Sequence, residues 1–460
     1  MKRFLLKKID YVCLLLIFLY IPLFFYKLGQ SSLVSWDEAW YAEIARNILR
    51  SGDIFNLTWS GEPYFDHPAG GFWFIALAFR LFGISEFWAR FTPALAGLLS
   101  LGIIYLLGKE LFGRVVGFAS AIALPSSFWF LYRSRSGNLD IFLTLFFLLT
   151  LFLALKAAKN KKYLIPFSLS LSFLFLTKTL VPLTIIPPLF IIFWRSKSIA
   201  LRNLVLPILI VVVLVGGWTF SQLQHKDFID RYFQVGLPGM DAQSNLKANV
   251  LQAKVLLHNG VGKWFWLGIG SLAIGVLARQ KRFLILAAFF VSFVTPFAFS
   301  QRSGIWHLIP LHPILILSFL GLLYVILEKI MGVFSRNKAW VALPIILLSI
   351  YISYPQIKRS WYEFINVNPY TSDEEVLARE AGNYPQKLFI ASSDFRPAAV
   401  FYSGKNVPQM ILGIKLPDMF KNKEEFLLIV QENDLAQPGI SKDSYEILQK
   451  DRDKILLLKK

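Results

Sequence analysis

The strongest constraint on this chain is the recurrence of long apolar runs along its first three quarters. A bilayer core about 30 Å thick needs about 20 apolar helical residues to cross it. Runs of that order lie at 10–28, 88–107, 115–132, 139–156, 162–177, 179–194, 203–220, 263–278, 283–299, 305–327 and 339–354. In hydrocarbon the backbone must satisfy its own polar groups, so each run is expected to be a helix. The composition agrees, with 55% hydrophobic residues and a mean hydropathy of +0.53. The expected fold class is a polytopic α-helical membrane protein of about eleven spans.

Basic residues set the expected orientation. Lys2, Arg3, Lys7 and Lys8 precede the first run, Lys156, Lys159, Lys161 and Lys162 fill one connection, and Arg279, Lys281 and Arg282 fill another. The alternate connections carry fewer: Arg133 and Arg135, Lys178, and Arg302. Positive charge stays inside, so the N-terminus is expected to be cytoplasmic in a multi-pass protein of the cell (inner) membrane. The first run reads as an uncleaved anchor, since no small-residue cleavage site stands out before Ser31. The net charge of +19 belongs to the membrane part, because basic and acidic residues balance after Gln356. Topology and anionic lipid head groups explain that excess, so the expected partner is the bilayer and not nucleic acid. Cys13 is the single cysteine, which excludes an intrachain disulfide.

The last hundred residues change character. Apolar runs shorten to strand length at 388–391, 426–430 and 455–458, with helical patterns at 373–381 and 396–402. The expectation is a transmembrane domain over 1–355 and a small external, periplasmic-side α/β domain over 356–460.

The chemistry gathers on the expected external side. The first external connection holds the adjacent acids Asp37 and Glu38, then Asp66-His67-Pro68. The next holds Arg133, Arg135 and Asp140, a third Lys178, and His307 opens the tenth run. Carboxylates so near hydrocarbon are costly to desolvate and tend to be functional or paired. Carboxylates for a base or a metal, together with cations for a phosphate, suit transfer from a phosphate-linked donor. Bland readings stand beside this one: Asp37 and Asp140 as helix caps, the arginines as interfacial snorkellers, and Phe72 and Trp73 as an interfacial aromatic belt.

These segments resemble a known class. DEAWYAEIA, YFDHPAGGFW, ARFTPALAGLL with LGKELFG, and SGNLDIFLTLF are similar to membrane glycosyltransferases of the GT-C class. The likeness is to the lipid A aminoarabinose transferases, the protein O-mannosyltransferases and, through D-H-P, the family 83 lipopolysaccharide galacturonosyltransferase type. It covers about residues 30–195 and, weakly, SGIWHLIPLHP. It implies a polyprenyl-phosphate-linked sugar donor and an external acceptor: lipid A, another envelope glycan or a protein. It implies Asp37 as catalytic base and Asp140 as second acid, with Glu38 beside them. His67, Arg133, Arg135, Lys178 and His307 are then expected at the donor phosphate, and Tyr64, Phe72 and Trp73 along a lipid or sugar groove. No cofactor is fixed; a divalent metal, Mg or Mn, is left open, with Asp37 and Asp140 to hold it. The chain departs from the aminoarabinose pattern at Trp40, where that family has Arg, and at Asp66-His67, where it has Glu-Lys. The alternative function is a transporter or flippase of lipid-linked sugars. Against it, no inverted hydropathy repeat is evident and the charges avoid the midplane.

Overall fold

The computed structural model describes residues 2–194, 201–236, 246–300, 304–334, 339–392, 396–407, 416–421 and 424–460. The chain divides into two compact units. The first comprises Met1–Lys27, Phe65–Gly71 and Phe91–Val367; the second comprises Leu28–Tyr64, Phe72–Arg90 and Asn368–Lys460. The expected linear boundary at 355/356 differs from this division, in which Leu28–Tyr64 and Phe72–Arg90 cluster with Asn368–Lys460.

The first unit is helical and polytopic. Each expected apolar run falls on helix, but the helices are unequal in length. Among the described residues, six are long and apolar enough to cross a membrane, or up to eight if each bent pair is one span. The others are shorter, as in Val181–Phe193. The bends have local causes. Pro125 opens a tight turn at Leu124–Ser126, and the pair Arg114–Ser126 and Phe128–Ser134 bends there by 74°. Proline lacks the N–H that would continue the ladder. Leu246–Val261 and Trp264–Leu277 bend by 115° at Gly262, whose φ of +64° suits glycine. The first bend leaves a short helix ending at Ser134, just beyond Arg133, and a turn then leads into the helix Asp140–Ala157.

The second unit begins with the amphipathic helix Asp37–Ser51 and a minimal hairpin, β1 (Thr58–Trp59) and β2 (Glu62–Pro63). Its C-terminal part is a four-stranded sheet of β3 (Leu388–Ile390), β4 (Phe426–Gln431), β5 (Tyr445–Asp451) and β6 (Lys454–Lys459), in the order β3-β4-β6-β5. The β3–β4 pair is parallel and the others antiparallel. Five consecutive residues of β4, Phe426–Val430, are buried, because both faces of this central strand are covered. Phe426, Leu428, Val430, Ile455 and Leu457 form the core on one face with Phe420. Strand β5 was not foreseen from sequence. It is an edge strand with Glu446, Lys450 and Asp451 and a bulge between Ile447 and Gln449, so its alternation is weak.

Candidate active site

In the helical unit, Asp140 is the organising residue. It opens its helix and is 2% exposed. Its N–H donates to Asn138 Oδ1 at 2.9 Å, and Asn138 in turn donates to the Ser136 carbonyl at 2.8 Å. Its carboxylate takes two cations, one per oxygen. Arg133 Nη2 donates to Oδ2 at 2.7 Å, and Lys178 Nζ donates to Oδ1. The bend that precedes Phe128–Ser134 delivers Arg133, and the break between Leu164–Phe175 and the turn Val181–Ile185 delivers Lys178. The Arg133 guanidinium also lies over the Trp306 ring, 5.6 Å from its centroid. Two cations on one carboxylate leave the trio with a net positive charge.

His67 joins this cluster electrostatically. The two glycines after it explain how. Gly70 N–H donates to the Leu176 carbonyl at 2.9 Å, and a Cβ there would meet Leu176 Cβ at 2.7 Å. A Cβ on Gly71 would meet Leu139 Cδ2 at 2.6 Å. The D-H-P-A-G-G run can therefore lie against the segments that carry Lys178 and Asp140. Burial, and then the Lys178 charge, push the His67 imidazole down to about 3, opposed by Asp140. The sequence reading expects His67 at the donor phosphate. In this setting it is a neutral ring at physiological pH, able to donate or accept a hydrogen bond but bringing no charge. His307 accepts the Gly304 N–H at Nδ1 (3.1 Å), which leaves its proton on Nε2, and it stacks beside Phe297.

Two arginines that sequence reasoning passed over belong to this description. Asp66 is buried and held bidentately by Arg231, Nε to Oδ1 at 2.5 Å and Nη2 to Oδ2 at 3.0 Å. Arg231 lies on the amphipathic helix Phe228–Gly236. Its only sequence signal is that Asp66, beside a histidine, needed a counter-ion. Arg135, expected at phosphate, instead donates to the Leu23 carbonyl at 2.9 Å and the Tyr26 carbonyl at 2.7 Å, anchoring the first helix. Arg302 lies outside the described residues.

In the second unit, Asp37 and Glu38 part company. Asp37 is half-buried at the first position of its helix and does not occupy the cap position. That position is Trp36, at φ +93°, with no side-chain cap bond. A tryptophan held there is strained, and such strain concentrates at functional loops. Glu38 is buried and bound by the second missed arginine. Arg90 Nε and Nη2 donate to its two oxygens at 2.9 and 2.8 Å, and the Val34 N–H donates at 2.9 Å. The same guanidinium also donates to the carbonyls of Leu28 (3.0 Å), Ser31 (2.8 Å) and Ser32 (2.8 Å). Arg90 and Glu38 thus clamp the loop that presents Asp37.

The aromatic residues expected to line a groove pack within this unit. Phe72 is fully buried, edge-on to Tyr41 at 5.3 Å and to Tyr64 at 5.7 Å. Tyr64 also meets Trp40 at 5.5 Å, and Trp73 Nε1 donates to the Ile54 carbonyl at 2.6 Å. Trp40 therefore stands in an aromatic cluster where the related pattern has arginine.

A divalent metal does not fit the donor set. Both Asp140 oxygens are engaged by cations, and among the described residues no three His, Cys, Asp or Glu side chains group as ligands.

Comparison with known proteins follows this geometry. Residues 66–218 match the family described as Dolichyl-phosphate-mannose-protein mannosyltransferase. An Undecaprenyl phosphate-alpha-4-amino-4-deoxy-L-arabinose arabinosyl transferase of Aeromonas hydrophila is 30% identical over 277 residues, 56% of this chain and 50% of that protein. One of Proteus mirabilis is 27% identical, over 61% of this chain and 54% of that protein. The chain spans about half the length of the curated relatives it matches. In structure, ArnT from Cupriavidus metallidurans bound to undecaprenyl phosphate superposes with a TM-score of 0.72 at 17% identity, over 97% of both chains. The Archaeoglobus fulgidus oligosaccharyltransferase tethered with an acceptor peptide follows at 0.57 and 13%, over 92% of this chain and 69% of that one. In fold, and in the sequence of its membrane part, the chain resembles the GT-C membrane glycosyltransferases, aminoarabinose transferase and mannosyltransferase among them.

Proposed function

We propose that this protein transfers a sugar from a polyprenyl-phosphate-linked donor to an external acceptor: lipid A, another envelope glycan or a protein. The observation that carries this reading is the pair of buried cations, Arg133 and Lys178, sharing the single carboxylate of Asp140. Such a trio is preorganised for an anion, because its cations are already desolvated and fixed. The phosphate of a lipid-linked sugar is the anion the relatives' names describe.

In the proposed reaction the acceptor hydroxyl attacks the anomeric carbon. A new C–O bond forms as the bond to phosphate oxygen breaks, and Asp37 takes the hydroxyl proton. Polyprenyl phosphate leaves with its charge met by Lys178 and Arg133, and His67 and His307 contribute neutral hydrogen bonds. One base and one displacement predict inversion. The orientation assigned from basic residues places the N-terminus in the cytoplasm and the C-terminal residues outside. The test is transfer by the purified protein in nanodiscs, with undecaprenyl-phosphate-linked sugars and envelope lipid as substrates. Asp37→Asn is expected to lose about 10²–10⁴-fold of the rate. Donor that moves between leaflets without losing its sugar would instead support a flippase and overturn this reading.

A further inference from the structure

The sheet of the second unit carries a cleft that the transfer reaction as described does not use. It lies at the carboxyl ends of β3 and β4, the parallel pair, beside the start of β6. Ligands of open α/β sheets bind at this edge, where parallel strands end. The cleft has a volume near 280 Å³, just below the usual range for small-molecule pockets, about 300–1,000 Å³. Its floor is apolar, made by Ile390, Ile429, Val430 and Ala399. Its rim is polar, with Arg396, Lys454, Glu374, Asp434, Ser392 and Gln431.

The cations on that rim are already paired. Arg396 Nη1 pairs with Glu374 Oε1 at 2.7 Å, and Lys454 Nζ pairs with Asp373 Oδ2 at 2.7 Å. Asp434 adds a further acceptor. An anion would have to displace a carboxylate to reach either cation, and a metal ion would have the one carboxylate of Asp434 to hold it unless it displaced a cation from Glu374 or Asp373. An apolar group would strand the rim donors and acceptors. A neutral, hydroxyl-rich ring suits both surfaces, with its C–H face on the floor and its hydroxyls exchanging bonds with the rim.

Glu374 connects the cleft to the catalytic loop. Its Oε1 takes Arg396 at the rim, while its Oε2 accepts from Ser35 Oγ at 2.7 Å, two residues before Asp37. Ser35 Oγ also accepts the Ala398 N–H at 3.3 Å, from the helix that borders the cleft. A ligand that engages this rim therefore touches a carboxylate that holds the Asp37 loop.

We propose that this cleft is an acceptor subsite that binds a neutral sugar unit, using Arg396, Glu374, Asp434 and Lys454 on the rim and the Ile390–Ile429 floor. The acceptor assignment rests on the transfer reaction proposed above; the saccharide site itself does not.

The experiment is saturation-transfer NMR on the full chain in nanodiscs, with a methyl hexopyranoside and a neutral hexose disaccharide as probes. A uronic acid and inorganic phosphate serve as charged comparators. Wild-type protein should saturate the neutral probes, and Ser392→Trp, which fills the cleft, should abolish the signal. Asp434→Asn and Lys454→Gln keep side-chain size on the rim, and each should weaken binding about tenfold while the melting temperature stays near wild type. Preferential binding of phosphate, or neutral binding untouched by Ser392→Trp, would overturn the subsite. In transfer assays Ser392→Trp should raise the acceptor KM at least tenfold with little change in donor use. Neutral binding lost in Ser392→Trp with an unchanged acceptor KM would refute the acceptor role. Intact saccharide binding with no transfer by any variant would refute the reaction and leave the binding site standing.

Discussion

Replacing Glu38 by Gln separates the two adjacent acids. The Glu38 carboxylate accepts hydrogen bonds from Arg90 at both oxygens and from the Val34 N–H, and both partners of the ion pair are under 10% exposed. Glutamine keeps one acceptor oxygen and turns an amide N–H2 toward donors that need an acceptor. It also leaves the buried Arg90 charge without its counter-ion. Breaking one side of a buried pair costs about 3–5 kcal/mol. The Arg90 bonds to three loop carbonyls remain, so the expected value lies toward the lower end of that range. The readout is hydrogen exchange in peptides covering 28–51, which reports local opening. A loss of about 3 kcal/mol speeds exchange by roughly two orders of magnitude. Asp37→Asn leaves the Arg90–Glu38 pair in place, so exchange in these peptides should be slower than in Glu38→Gln, yet transfer should be lost. Glu38→Gln should keep more activity per folded molecule than Asp37→Asn. Combining Glu38→Gln with Arg90→Gln removes both charges, so the two losses should be less than additive. A Glu38→Gln protein with wild-type exchange and no transfer would refute the clamp and make Glu38 a reacting group.

Further outcomes are specific to other parts of the cluster. Lys178→Ala leaves Asp140 paired with Arg133, and losing one charge-assisted contact of about 1.5–3 kcal/mol should weaken donor use by about one to two orders of magnitude; unchanged donor affinity and turnover would remove Lys178 from the site. His67 has its ring pushed down to about 3 from an ordinary 6.5, so the unfolded chain binds the proton first. Stability should therefore be level above about pH 6.5 and fall as pH drops from there toward about 3, and His67→Gln should flatten that slope in denaturation measured across pH. For topology, Cys13 is buried and gives a silent background; a cysteine at exposed Ser441 should label from outside and one at exposed Asn160 should not, and the reverse pattern would invert the assigned orientation.

What could be read from the sequence followed from strong local patterns. Apolar length marked the helices, and the strands 388–391, 426–430 and 455–458 fell on β3, β4 and β6 because burial makes their runs continuous. Polar edge strand β5 had no such signal. In the site, Asp140, Arg133 and Lys178 stood out as charges beside apolar runs, where desolvation makes charge conspicuous. Their sharing of one carboxylate was not legible, because nothing local links residue 178 to residue 140. Arg90 and Arg231 were missed for the opposite reason. Each sits where a lone arginine reads as an ordinary interfacial residue, and only its long-range partner reveals it. The Glu38–Arg90 pair was not legible because adjacency to Asp37 suggested shared chemistry, whereas on a helix neighbouring side chains point about 100° apart. Glu38 faces Arg90.

That division of labour explains why so many ion pairs surround so little chemistry. In the proposed reaction the cations that meet phosphate must be held near hydrocarbon before it arrives, and alone they would be expensive to desolvate. Asp140 removes that cost for Arg133 and Lys178 together, and because it is one charge against two, it leaves a residual attraction for an anion. Had the chain supplied a carboxylate for each, the cluster would be equally buried but neutral, and the phosphate would gain little from it. On this proposal the carboxylate of Asp140 positions both cations, and its removal should disorder the two at once. Asp140→Asn should accordingly cost more donor affinity than Lys178→Ala, although it adds positive charge to the site, and tighter donor binding in Asp140→Asn would show that charge alone, and not held geometry, governs this cluster.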